Sequence, residues 1–124
     1  MAKTFIILGS INMFLTVALG AFGAHGLKSR LPADLMAVYQ TAVQYHSMHA
    51  LGLLLIGIIA HWLGQSALIN WAGWLLLTGI VLFSGSLYTM SFTGIRMLGA
   101  ITPFGGVAFL AGWLLLALAA WKAA

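Results

Sequence analysis

The chain keeps its charged side chains out of long apolar stretches, and that placement constrains its fold more than any motif does. Its basic residues are Lys3, Lys28, Arg30, Arg96 and Lys122, and its single acid is Asp34. No charge falls between Thr4 and Leu27, between Leu35 and Ile95, or between Met97 and Trp121. Charge-free apolar runs of about 18 or more residues are the mark of membrane-crossing helices, because the hydrocarbon core is about 30 Å thick. A soluble domain would carry charge on roughly a quarter of its residues. Here 5% are charged and 63% hydrophobic, so the surface must be apolar and the solvent is the bilayer.

The middle run is too long for one crossing, and the polar stretch Gly64-Gln65-Ser66, followed by Asn70 and Trp71, divides it where a turn would lie. The expected architecture is therefore all-α: one membrane-embedded domain over residues 1–124, a bundle of four transmembrane helices at about 4–24, 43–63, 69–90 and 98–121. Pro32 and Asp34 suit the first turn of a helix. Leu35, Val38 and Ala42 follow helical spacing while Asp34, Thr41 and Gln44 fall on another side, which suggests a short interfacial helix before the second span. The alternative is that the second helix simply begins at Pro32. Residues 1–24 also carry the marks of a cleaved signal peptide, but their glycine spacing suits a retained packing helix better.

Lys28, Arg30 and Arg96 share one membrane face with Asp34, while Lys3 and Lys122 lie on the other. A basic residue near hydrocarbon depth calls for a partner, and Asp34 is the available one for Arg96; snorkelling of Arg96 to phosphate headgroups is the alternative. If the two pair, the positive-inside rule tips toward both termini being cytoplasmic.

Helices in lipid gain little from burying apolar surface against one another, so small residues and scattered hydrogen bonds must hold them. Among the fifteen glycines, Gly20 with Ala24, the series Gly20, Gly23 and Gly26, and Ala108 with Gly112 have packing spacings, and Ser84-Gly85-Ser86 adds a small polar patch. Packing within the bundle is expected more than dimerisation. Trp62, Trp71, Trp74, Trp113 and Trp121 are read as an aromatic belt. Pro103, with Thr102 before it and Gly105-Gly106 after it, should kink or break the fourth helix near Ala100 to Gly106.

Few groups can carry protons or metals. One acid excludes a paired-carboxylate hydrolase, no G-x-S-x-G elbow supports a Ser-His-Asp triad, and without Cys there is no thiolate chemistry or disulfide. The run Gly20 to Lys28 is not a phosphate loop, since Leu27 separates the last glycine from the lysine and no strand precedes it. His25, His46 and His49 are expected at one membrane level and are the only metal candidates, with structural hydrogen bonding the simpler reading. His61, beside Trp62, is interfacial.

Three groups of residues together carry a resemblance. They are Gly20-Ala-Phe-Gly-Ala-His-Gly-Leu27; Tyr39-Gln-Thr-Ala-Val-Gln-Tyr45 with His49-Ala-Leu51; and Phe83-Ser-Gly-Ser-Leu-Tyr88 with Thr93-Gly94, Ile101-Thr-Pro-Phe-Gly-Gly106 and Gly112-Trp113. The chain resembles the small membrane-protein family called domain of unknown function 423, which includes transmembrane protein 256. The resemblance spans nearly the whole chain and implies a four-span protein, in bacteria of the inner membrane, with no assigned activity. His25, Tyr39, Tyr45, His49, Ser84, Tyr88, Thr102 and Pro103 fall on the family pattern. His46 departs from it, where Gln is expected, and this points to His25 and His49 as the polar pair.

The expected function is non-enzymatic: a bundle that binds lipid, quinone or a larger membrane complex, with His25, His49, Tyr39, Tyr45, Tyr88, Ser84 and Thr102 as candidate site residues. No cofactor and no nucleic-acid partner is expected; membrane lipids, a larger complex or further copies of the chain are the expected partners. The alternatives are solute or ion transport by an oligomer, and a His-ligated metal or haem protein.

Overall fold

The computed structural model describes residues 1–123, and four of its helices are long and apolar enough to cross a membrane. These are α1 (Ala2–Leu27), α2 (Ala33–Leu63), α3 (Ala67–Thr93) and α4 (Thr102–Lys122), the last preceded by a short 3-10 turn, Arg96–Ala100. Each helix packs on its successor, and α2 lies against both α1 and α3. Gly57 near the end of α2 abuts Ala2 and Ile6 at the start of α1, and Gly52 abuts Leu76, so neighbours run antiparallel. Both chain ends and the α2–α3 turn therefore lie at one end of the bundle. The Lys28–Asp34 and Arg96 segments lie at the other.

Local chemistry explains the boundaries. Ser66 caps α3, its hydroxyl oxygen accepting from the Ile69 N–H at 3.2 Å. Gly94, at φ 73°, closes α3 in a left-handed conformation that suits glycine, its N–H donating to the Met90 carbonyl at 2.8 Å. The separate interfacial helix does not form. Residues 33–43 contain no Gly or Pro, and Leu35, Met36, Tyr39 and Ala42 are buried against the bundle, so α2 is continuous from Ala33. At about 1.5 Å per residue its 31 residues span about 46 Å, more than the hydrocarbon core of about 30 Å. Its first turns, with Asp34, stand outside the apolar layer.

The expected break around Ala100 to Gly106 takes another form. Pro103 occupies the first turn of α4, where a backbone N–H would lack a helical partner anyway, and the irregular segment lies before it, as the 3-10 turn Arg96–Ala100. Irregularity appears instead inside two other helices, as π turns at Gly23–Leu27 and Ile80–Ser84.

The core of the half of the bundle nearer the termini is built on Phe5, Leu53, Ile56, Ile69 and Leu76. Glycines set the distances between helices. A Cβ on Gly73 would overlap the Phe5 ring, one on Gly79 the Phe109 ring, and one on Gly105 the backbone nitrogen of Phe83. The last of these lets α4 lie directly on the π turn of α3. Gly106 is different, since a Cβ there meets only Phe83 Cδ2 at 3.9 Å. Gly105→Ala is expected to lower stability by about 1–3 kcal/mol through overpacking against backbone. Gly106→Ala should be neutral or stabilising by up to about 1 kcal/mol, as glycine is a poor helix former. Thermal unfolding of both variants in detergent checks this, and equal losses at the two positions would contradict the packing.

Candidate functional site

Side-chain hydrogen bonds between helices gather in one layer, on the stretch of α2 from Tyr39 to His49. His46, 4% exposed, is its centre. On α1, Asn12 Nδ2 donates to the Leu8 carbonyl at 2.8 Å, which leaves Oδ1 facing His46 Nε2 at 2.8 Å. That nitrogen must therefore carry the proton. The other ring nitrogen, Nδ1, then accepts from the Tyr88 hydroxyl of α3 at 2.9 Å. One neutral imidazole thus joins three helices.

One turn on, His49 is 2% exposed and protonated on the opposite nitrogen. Its Nδ1–H donates to the Tyr45 carbonyl at 2.7 Å, and its Nε2 accepts from Trp113 Nε1–H of α4 at 3.0 Å. Around these two residues, Tyr39 donates to the Leu19 carbonyl of α1, and Ser84 donates to the Ala42 carbonyl at 3.1 Å. Ser86 donates to the Phe83 carbonyl at 2.9 Å, so the Thr102 hydroxyl, 2.6 Å away, donates to Ser86. Gly23 provides the seat for the Tyr39 ring at the α1 π turn, where any Cβ would overlap it.

Beside this layer, a groove of about 480 Å³ runs between α2 and α4, with Phe83 of α3 in its wall. Buried His49 and Phe109 form its floor, and exposed Met48, Val107 and Leu110 its rim. The floor is aromatic and ordered. His49 stacks on Phe109 with centroids 3.5 Å apart and planes 9° apart, and Tyr45 lies within 10° of the His49 plane. Pro103, Gly106 and Trp113 complete the α4 side.

The residues expected to act together are only partly brought together. Tyr45 and His49 share the groove with Pro103; Tyr88 and Ser84 bind α2 from α3; Thr102 bonds Ser86 and Tyr39 bonds α1. His25 does not join them. It is exposed on the outer face of the π turn, so the expected pairing of His25 with His49 does not form, and the buried histidines are His46 and His49. The three-histidine metal arrangement fails for the same reason: His46 and His49 address different helices with both nitrogens engaged, and among the described residues no group of three or more metal-ligating side chains assembles. Trp113 belongs to the interior, not to the aromatic belt. Asn12 escaped notice altogether, although a lone Asn in a charge-free span is itself a signal of an internal partner.

At the loop end, Arg96 donates to Asp34 across 62 residues of sequence, with both side chains more than half exposed. The hydrogen bond from the Arg96 guanidinium holds the Asp34 carboxyl, which lies outside the hydrocarbon, below its ordinary value.

Residues 19–106 match the family described as protein of unknown function (DUF423). The chain is 54% identical to the UPF0382 membrane protein YwdK of Bacillus subtilis over 120 residues, 97% of this chain and 98% of that one. It is 52% identical over 121 residues to a UPF0382 membrane protein of Staphylococcus saprophyticus, covering 97% of this chain and 98% of the relative. A Staphylococcus haemolyticus protein of the same description is 51% identical, with 97% of each chain covered. No solved structure matches.

Two outcomes follow from the geometry. Tyr88→Phe removes one interhelical donor and should cost about 0.6–1.7 kcal/mol; Trp113→Phe removes the other donor together with part of the indole that packs on Gly52, and should cost more. Because they serve different histidines, their losses should add to within about 0.5 kcal/mol in thermal unfolding of the double variant. Asp34 has a lowered folded-state value, so its contribution is present above the ordinary carboxylate value and is lost as pH falls through the folded one. Thermal scans should show a small acid-dependent loss, absent in Asp34→Asn and diminished by added salt.

Proposed function

The chain belongs to the DUF423 family of membrane proteins of unknown function, and on that premise we propose that it is a non-enzymatic bundle holding an apolar molecule drawn from the bilayer in the groove between α2 and α4. The supporting observation is the groove itself: about 480 Å³, within the usual range for small-molecule sites, with a buried aromatic floor and few polar atoms. Its rim is on the lipid-facing side, so a ligand could enter sideways without crossing water. Nothing resembling a nucleophile and base converges there. His49 is fully engaged in holding α4, which argues for a structural imidazole over a catalytic one.

Transport and metal or haem binding draw less support. The 3-10 turn before α4 lies at the loop-end start of the apolar run Arg96–Lys122 and leaves α4 unbroken beyond Pro103, and the buried histidines each tie helices together. We further place the protein in the bacterial plasma membrane with both termini cytoplasmic. Lys28, Arg30 and Arg96 at the loop end stand against Lys3, Lys122 and the amino terminus at the other, a nearly level count of basic groups, and among the described residues Arg96 alone of these is held by an acid.

The test is to purify the wild-type protein and Gly106→Leu from membranes, confirm equal folding, and compare bound organic molecules by native mass spectrometry and extraction. Position 106 lines the groove and a Cβ there meets only Phe83 Cδ2, at 3.9 Å, so leucine is expected to extend into the groove. An apolar molecule bound to wild type and lost from the variant is the expected result; identical profiles would refute the reading.

A further inference from the structure

The groove constrains the class of molecule it takes, and this inference rests on the groove being a binding site at all. Its lining offers side-chain polar atoms only on Tyr45, His49 and Trp113. His49 uses one nitrogen on the Tyr45 carbonyl and the other on Trp113, whose single N–H is thereby consumed. The hydroxyl of half-buried Tyr45 is not sealed inside the bundle and, among the described residues, makes no hydrogen bond within the chain. In hydrocarbon, an O–H without a partner is costly, and a hydroxyl beside an apolar groove offers a donor. An occupant that satisfies it must bring an acceptor.

The walls add a shape. Tyr45, His49 and Phe109 present nearly parallel rings, and Phe83 leans on both Tyr45, with centroids 4.7 Å apart, and Phe109, 5.4 Å apart. His49 lies nearly face to face on Phe109, and the parallel Tyr45 ring, displaced from them, offers a planar molecule an offset stacking surface, an advantage that a flexible acyl chain cannot share. Tyr45 also stands about 18 Å along α2 from Ala33, on the loop-end side of the groove, with Trp113 farther in. A headgroup at Tyr45 thus leaves the apolar rim of Val107 and Leu110 for a hydrocarbon tail.

We infer that the groove takes a planar ring bearing a carbonyl acceptor and an apolar tail, the chemistry of a quinone, with Tyr45 donating to the carbonyl. Tyr45 is a binding residue here, and His49 with Trp113 forms the fixed floor beneath the ring.

The experiment titrates the full chain, in dodecyl maltoside, with decylubiquinone and separately with decylbenzene, which has a ring and tail but no carbonyl. Occupancy is read by native mass spectrometry for wild type, Tyr45→Phe and Gly106→Leu. Decylubiquinone should bind wild type, weaken about tenfold in Tyr45→Phe, as loss of one hydrogen bond implies, and fail to bind Gly106→Leu. Decylbenzene binding should not change between wild type and Tyr45→Phe. Decylubiquinone affinity within twofold of wild type in Tyr45→Phe overturns the assigned acceptor contact. Phospholipid bound to wild type and displaced by Gly106→Leu, with no quinone binding, overturns the class while the groove remains a site. If Gly106→Leu changes no bound species, the groove reading fails and the class with it.

Discussion

Two buried imidazoles, protonated on opposite nitrogens, are the interaction on which the bundle depends. Between lipid-exposed helices there is no hydrophobic driving force, since acyl chains are as apolar as leucine. Specific pairing has to come from elsewhere. His46 binds α1 through Asn12 and α3 through Tyr88, while His49 binds α4 through Trp113, so α2 is the one helix tied to all the others. The opposite tautomers are enforced by their neighbours: Asn12 has only a carbonyl oxygen left to offer, and Trp113 only a donor.

The span boundaries were readable because hydrocarbon tolerates no ambiguity about charge. Lys28, Arg30 and Asp34 fall at one turn and Arg96 at another, and Gly64-Gln65-Ser66 became the α2–α3 turn with Ser66 capping α3. Continuity of helix is harder to read. Polarity at Asp34 and Gln44 suggested a surface helix, yet backbone helicity continues wherever nothing interrupts it, and α2 runs out of the apolar layer unbroken. Pro103 illustrates the reverse case, a helix breaker that proves to be a helix starter because it stands one residue inside the end.

The site was legible in its residue types and not in its partners. Tyr45 and His49 line the groove while Tyr88, Ser84 and Thr102 bond neighbouring helices, and periodicity along one helix says nothing about which face meets which neighbour. His46 looked dispensable against the family pattern, and His25 looked central; His25 lies exposed in the π turn at Gly23–Leu27, while His46 is buried on α2. Trp113 sits in the middle of α4, where a belt tryptophan would not be, and its depth was the missed clue.

The unequal distribution of polar bonds has a mechanical consequence. From Tyr39 to His49 the bundle is cross-linked, whereas from Leu53 to Ala60 it is held by glycine-spaced apolar contact with Phe5, Ile69 and Leu76. Exchanging apolar helix contact for acyl chains costs little, while breaking a buried hydrogen bond in hydrocarbon strands a polar group. The molecule is therefore stiff in one leaflet and compliant in the other, like a clothes-peg whose spring sits near Tyr39 and whose free ends are the chain termini.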